Sequence, residues 1–330
     1  MRGAWLEHGE LVFRDDLPEP EPKRGEVRIA VQYAGVCATD LALASGYMNF
    51  TGIPGHEFVG RALEGQYEGQ LVVGEINAGC GKCPDCLGAN AGRHCQARDV
   101  LGILERPGAF AEQLRLPARN LLPLQASPSG KPLDPRHAVF AEPLAAAFQI
   151  LDQVPNVAGS RCLVAGDGRL GLLIAKVLQH AGAKVDLAGH HPERVPIGIG
   201  DRSFLLDGTR IRNSGEPLYD MAVEATGKDH VLQALFTWVR PRGTVVLKTT
   251  TGRSTSLDLT PVVVDELNLV GSRCGRFEPA LRALQTGAIE VESMIHETYP
   301  LNDAPEALRR AAEPGVLKIL IHCLDHEPSN

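Results

Sequence analysis

Cys80, Cys83, Cys86 and Cys95 place four of the chain's eight cysteines in one short, glycine-rich run. Two residues separate each of the first three, and eight separate the third from the fourth. Four thiolates at such spacing can close a tetrahedral shell around zinc, a metal that favours soft sulfur ligands. Gly79, Gly81, Pro84 and Gly88 allow the tight turns of such a knot. Disulfides are the alternative use of the cluster. The N-terminus, MRGAWLEHGELVFRDD, has no long apolar core and does not read as a signal peptide, so a reducing cytoplasmic setting is expected and the metal is favoured. A closed four-sulfur site is structural, which directs attention to a second donor set with an open coordination position.

Such a set is available. Cys37 is followed by Thr39 and Asp40, and His56 and Glu57 follow the turn Pro54-Gly55. Glu142 stands in Ala141-Glu-Pro-Leu144. One thiolate, one imidazole and one carboxylate leave the fourth zinc position free for chemistry. Glu57 and Glu142 compete for the carboxylate place, and the sequence does not rank them.

A third constellation suits a dinucleotide. Gly166-Asp167-Gly168-Arg169-Leu170-Gly171 follows the apolar run Cys162–Ala165 and opens an amphipathic stretch, the context a G-x-G-x-x-G loop requires. Helix N–H groups would then face a pyrophosphate. Cofactor choice turns on the residue ending the second strand, where an acid would bind the ribose hydroxyls of NAD. In Lys184–His191 that position falls on Gly189, so no carboxylate is expected there to repel a 2′-phosphate. His190, His191 and Arg194 offer contacts to one, and NADP is favoured over NAD. Asp186 is the competing ribose acid if the strand ends early.

These residues need two kinds of scaffold. Residues 1–140 alternate short strand patterns, such as Val27–Tyr33, with Pro and Gly turns, as a mostly antiparallel barrel does. From Pro143, helical and strand patterns alternate, with strands expected at Cys162–Ala165, Val185–Ala188, Met221–Ala225, Thr244–Leu247 and Leu267–Val270, which implies a doubly wound parallel sheet. The chain then ends in two helices and one strand, Lys318–His322, with a capping box at Asp303-Ala-Pro-Glu306. This last part is expected to return to the first domain. The 330 residues suffice for about two domains. A net charge of −7 argues against nucleic-acid binding, and no run of apolar residues is long enough to span a membrane.

Taken in order, Gly35–Asp40, Gly55–Glu57, Cys80–Cys95, Glu142–Leu144 and Gly166–Gly171 resemble the zinc-dependent medium-chain alcohol dehydrogenases, particularly the sorbitol and threonine dehydrogenase branch. The likeness covers nearly the whole chain. It implies an α/β protein with a GroES-like, mostly β catalytic domain (1–148, with the zinc lobe at 80–95), a Rossmann domain (149–272) and a return to the catalytic domain (273–330), the active site lying between them. It implies two zinc ions per chain: a catalytic one on Cys37, His56 and either Glu57 or Glu142, and a structural one in the cysteine lobe. It also implies hydride transfer between a secondary alcohol or polyol, or the matching carbonyl, and NAD(P). Homodimers or homotetramers are usual, with Leu267–Val270 as the pairing edge strand.

By the same resemblance Thr39 passes the substrate proton. The family's next relay histidine is replaced by Ala42, so water, the cofactor ribose or Glu57 must carry it further. The family has seven residues between the third and fourth lobe cysteines. The extra residue here puts His94 in the expected register and Cys95 one step on; Cys95 is preferred, since Gly88 and Gly92 can absorb the insertion. Segment 192–200 is poor helix sequence, and Arg61–Glu75 looks trimmed. Leu43, Tyr47, Phe50, Arg273 and Cys274 are pocket candidates. Cys162, Cys274 and Cys323 otherwise read as small core residues. Two other functions fit the motifs: an NADPH-dependent carbonyl reductase, and a non-catalytic nucleotide- or redox-sensing protein.

Overall fold

The computed structural model describes residues 1–88, 92–126, 130, 132–191, 194, 202–205, 219–250 and 254–324. The chain divides into two compact units, residues 1–142 with 277–330, and residues 143–276. Segment 192–200 lies outside the described residues apart from Arg194.

The first unit opens with a hairpin, β1 (Gly3–Glu7) and β2 (Glu10–Arg14), turned by His8 and Gly9 at positive φ. β3 (Glu26–Gly35) is the long central strand, with every second residue buried along Val27, Ile29 and Val31. α1 (Ala38–Ala44) follows it directly. Then come β4 (Glu57–Ala62), β5 (Leu71–Gly74) and β6 (Asn77–Ala78). A single turn of helix, α2 (Pro84–Leu87), sits in the cysteine lobe. β7 (Asp99–Leu101), β8 (Glu105–Arg106), β9 (Gln113–Pro117) and β10 (Leu121–Pro123) complete the barrel-like part. After the short α3 (Pro135–Ala138), α4 (Ala141–Gln153) leads the chain out of this unit.

The second unit alternates β11 (Arg161–Ala165), α5 (Arg169–His180), β12 (Lys184–Gly189), β13 (Arg202–Leu205), β14 (Tyr219–Glu224), α6 (Asp229–Trp238), β15 (Val239–Leu247), α7 (Thr260–Val264) and β16 (Asn268–Gly271). Its six strands are all parallel, in the order β13-β12-β11-β14-β15-β16. The order reverses between β11 and β14, which is the switch point where doubly wound sheets bind ligands at their C-terminal strand ends. Both faces of this sheet are covered, so β11 and β14 read as continuous apolar runs: Cys162, Leu163, Val164, Ala165, Ala222 and Val223 have no exposed surface.

The chain returns through α8 (Phe277–Gln285), β17 (Ile295–Pro300), α9 (Ala304–Ala311) and β18 (Lys318–His322). β18 pairs antiparallel with β3, setting Leu320 opposite Gly35. This extends the sheet to β10-β5-β4-β3-β18-β17, with β9 also on β3. The return thus carries two strands where one was expected. β17 reads Ile-His-Glu-Thr-Tyr-Pro and has no buried residue, so it lacked the apolar alternation of a core strand. Asp303 does stand at the N-cap of α9, but its side chain makes no capping hydrogen bond there, and the expected capping box does not form.

Candidate metal centre and dinucleotide loop

Cys37 is the residue before α1, and the N–H of Cys37 donates to Asp40 Oδ2 at 2.8 Å. The other oxygen of Asp40 accepts from Gly55 N at 3.2 Å. One buried carboxylate therefore fastens the start of α1 to the turn that presents His56, immediately before β4 begins at Glu57. The Cys37 sulfur, a His56 ring nitrogen and a Glu57 carboxylate oxygen all lie within 4.8 Å of one another. His56 and Glu57 are 3% and 0% exposed. Glu142, the alternative carboxylate, is not one of this group.

The electrostatics of the group suit a cation. Burial by itself would lower the imidazole pKa of His56, but the charges of Asp40 and Cys37 outweigh it and hold the value well above the ordinary one. Asp40 Oδ1 stands 3.4 Å from His56 Nδ1, outside hydrogen-bond geometry. Among the described residues neither His56 Nδ1 nor Glu57 Oε1 has a hydrogen-bond partner, although both are buried. Buried polar atoms are rarely left so. A thiolate, an imidazole and a carboxylate drawn this close, with orphaned buried atoms among them, fit zinc. Thr39 Oγ1 is 3.9 Å from the Cys37 sulfur, beside the same group.

The sulfurs of Cys80, Cys83, Cys86 and Cys95 also lie within 4.8 Å of one another. Cys83 and Cys86 sulfurs are 3.5 Å apart and those of Cys80 and Cys86 3.9 Å, too far for disulfides. Backbone N–H groups of Lys82 and Cys83 lower the Cys80 thiol to about 6, while desolvation and the neighbouring thiols push Cys86 up to about 11. One thiol gives up its proton readily while its neighbour resists a second charge, a conflict that a divalent cation would relieve. His94 is exposed and its N–H donates to Asp85, whereas Cys95 is buried among the other sulfurs. A third cluster, Asp134, His137 and Glu292, has comparable geometry, but the Arg136 guanidinium already pairs with Asp134 at 2.6 Å.

In the second unit, Gly166 has φ 121°, and a Cβ there would meet Ala225 O at 2.6 Å. A Cβ on Gly171 would come within 1.9 Å of Gly166 O. The protein itself therefore demands both glycines. Gly168 is different: a Cβ there meets nothing within 4 Å. Backbone laid open at the start of the twelve-residue helix α5 is what a pyrophosphate needs. β12 runs to Gly189, past Asp186, which is buried and accepts from Tyr219 Oη at 2.8 Å and from Arg161 at 3.3 Å. Asp186 is thus a mid-strand residue and not the ribose acid. The region beyond β12 does hold a carboxylate, contrary to expectation. It belongs to Asp167, which accepts from the N–H groups of His190 and His191 at 2.9 and 2.7 Å.

Residues 23–126 match the family of alcohol dehydrogenase GroES-like domains. D-arabinitol dehydrogenase 1 of Uromyces fabae is 29% identical, with 94% of this chain and 93% of that protein covered. An L-threonine 3-dehydrogenase of Streptomyces avermitilis is 28% identical, with coverage of 93% and 94%. A solved structure from Sinorhizobium meliloti 1021, assigned as a zinc-binding dehydrogenase and bound to NADP, has a TM-score of 0.85 at 26% identity, covering 97% of this chain and 98% of that one. Over more than nine-tenths of its length the chain is similar to dehydrogenases of the medium-chain dehydrogenase/reductase superfamily.

Two further side chains bear on the candidate metal centre without having been singled out as site residues. Asp40 is one, as described above. Lys318, the first residue of β18, is the other. It is 1% exposed, its Nζ pairs with Glu57 Oε2, and it lies 5.6 Å from the centroid of the Phe140 ring. The only trace of it in sequence is a lysine opening an otherwise apolar strand. Of the pocket candidates, Leu43 is fully packed in the first unit, and Phe50 and Cys274 are half-buried. Tyr47 is 38% exposed beside an exposed Met48, so it does not serve barrel packing. Cys162 and Cys323 are core residues, and burial pushes the Cys162 thiol up to about 12.

Proposed function

We propose that this chain is a zinc-dependent oxidoreductase that moves a hydride between a secondary alcohol or polyol, or the matching carbonyl, and NAD(P). One observation carries the reading: the Cys37–His56–Glu57 group, with His56 and Glu57 buried, occurs in a chain that also has a glycine loop at the switch point of a parallel sheet. The relatives named for D-arabinitol and L-threonine support a small hydroxylated substrate. No helix among the described residues is long and apolar enough to cross a membrane.

Cys37 and His56 would hold the catalytic zinc, with Glu57 as the nearer carboxylate; Cys80, Cys83, Cys86 and Cys95 would hold the structural one. When bound, zinc supplies the Lewis acidity that polarises the substrate oxygen, and NAD(P) supplies the hydride acceptor or donor. Asp40 keeps the Cys37 turn and the His56 turn in one geometry. Lys318 neutralises one oxygen of Glu57, leaving the other for the metal. Thr39 carries a hydroxyl beside Cys37 that can take the substrate proton and hand it to water or Glu57, a transfer typically worth about 10²–10⁴-fold in rate.

Metal analysis and turnover test this together. The purified protein is expected to hold two zinc ions per chain, and Cys37→Ser to hold one and lose turnover on polyols, secondary alcohols and hydroxy-amino acids. Full zinc and full activity in Cys37→Ser would remove it from the centre. Nucleotide binding with no hydride transfer across the whole panel would favour a sensing protein.

A further inference from the structure

The carboxylate of Asp167 occupies the space that a side chain at the end of β12 would fill. A Cβ built on Gly189 falls 2.1 Å from Asp167 Cγ and 2.2 Å from Oδ2. The two positions are neighbours because β11 and β12 pair in parallel, Ala165 beside Ala188, and Gly166 N donates to Ala188 O at 2.7 Å. In a dinucleotide fold, the acid that binds the adenosine ribose projects from that strand end. Here the strand end is a glycine, and the acid arrives from the first loop instead.

The donors expected to receive a 2′-phosphate are turned to this carboxylate. Asp167 Oδ2 accepts from His190 N at 2.9 Å, His191 N at 2.7 Å and His191 Nδ1 at 3.0 Å. Arg194 Nη1 donates to the Asp167 carbonyl at 2.7 Å and lies 3.8 Å from Oδ1. Burial alone would raise the Asp167 pKa, but the His191 hydrogen bonds and the Arg194 charge prevail and lower it. The group is therefore an anion held in place by its neighbours. Oδ1 has the His191 ring, at 3.1 Å, as its sole hydrogen-bond donor among the described residues, which leaves it able to accept from a diol.

We propose that Asp167 is the carboxylate that binds the adenosine ribose hydroxyls, supplied by the glycine loop in place of the second strand, and that it selects NAD(H) over NADP(H). This rests on the dinucleotide reading above and reverses the preference suggested by Gly189, His190, His191 and Arg194 in sequence. Like-charge repulsion in a partly buried site disfavours a 2′-phosphate, and a lost hydrogen bond to a charged group disfavours a ribose without its 2′-hydroxyl.

Calorimetric titration of the zinc-loaded protein with NADH, NADPH and adenosine-2′-deoxy-NADH tests the assignment. NADH is expected to bind at least tenfold more tightly than NADPH and at least fivefold more tightly than the deoxy analogue. In Asp167→Asn, which keeps the shape and removes the charge, the preference over NADPH should narrow at least fivefold. Equal or tighter binding of NADPH by the wild type, or indifference to the 2′-hydroxyl, overturns the proposal even if the variant fails to fold. Binding of none of the three overturns the dinucleotide reading itself.

Discussion

Lys318 shows how much one buried charge can govern. Its ammonium is 1% exposed and pairs with Glu57, which has no exposure, and it also reaches Val36 O at 3.4 Å. Removing one member of a buried ion pair strands the other and costs about 3–5 kcal/mol, whereas removing both is often nearly neutral. Lys318→Met is therefore expected to lower stability in urea by about 3 kcal/mol or more, and Lys318→Met with Glu57→Gln to recover at least half of the loss. A double variant no more stable than the single one would show that the two side chains are not coupled. Cys37, His56 and the four lobe cysteines were legible in sequence because their types are scarce and their spacing is local. Lys318 was not, since lysine is ordinarily a surface residue and its partner lies 261 positions away. Asp167 was visible as a loop residue, but the reach of its carboxylate to the end of β12 depends on strand pairing that no local pattern encodes.

At the scale of elements, Glu26 joins the small sheet β6-β7-β8 to the main one. It opens β3 and accepts from Arg106 of β8 at 2.7 Å, and from Arg115 of β9. Arg106 also holds Asp99 of β7 at 2.7 Å. Burial alone would raise the Glu26 pKa, yet the Lys23 N–H and the two guanidinium groups lower it from 4.5 to about 2. A depressed carboxylate contributes its stability in full above 4.5 and loses it as pH falls toward 2. Glu26→Gln should therefore be less stable than the wild type by about 2 kcal/mol at pH 7, with the gap closing below pH 4.5. Urea melts of both proteins at pH 7, 5, 4 and 3 check this; a gap unchanged with pH would mean that the charge is not what matters. The central parallel strands β11 and β14 were readable because burial on both faces makes them largely apolar, whereas β13, Arg-Ser-Phe-Leu, was not among the expected strands. β17 was not, because an edge strand with no buried residue keeps no core pattern. The β1–β2 hairpin carried its signal in His8-Gly9, whose positive φ values suit a tight hairpin turn, yet flanking strands of five residues are easily lost in a sequence reading.

At the scale of the whole molecule, the six-stranded sheet ends in β16, a strand whose outer edge has no pairing among the described residues. Apolar side chains crowd there instead of the lysines and prolines that usually blunt an edge: Leu269 is 40% exposed, and on the adjoining α7 Val263 and Val264 are 75% and 73% exposed, with Leu259 at 51% just before it. An open row of backbone groups flanked by apolar surface is a template for a second strand, and an isologous two-fold contact would pair β16 with its own copy and cover both patches at once. We therefore expect a dimer, or a tetramer built from that dimer, in light scattering coupled to size-exclusion chromatography. Leu269→Lys with Val264→Lys, which places charges on the edge and beside it, should shift the protein to monomer. Because these positions lie in the second unit, whereas the Cys37–His56–Glu57 group and the cysteine lobe belong to the first, the variant should keep both zinc ions. A wild-type monomer, or a charged variant that still elutes as an oligomer, would place the assembly surface elsewhere or remove it.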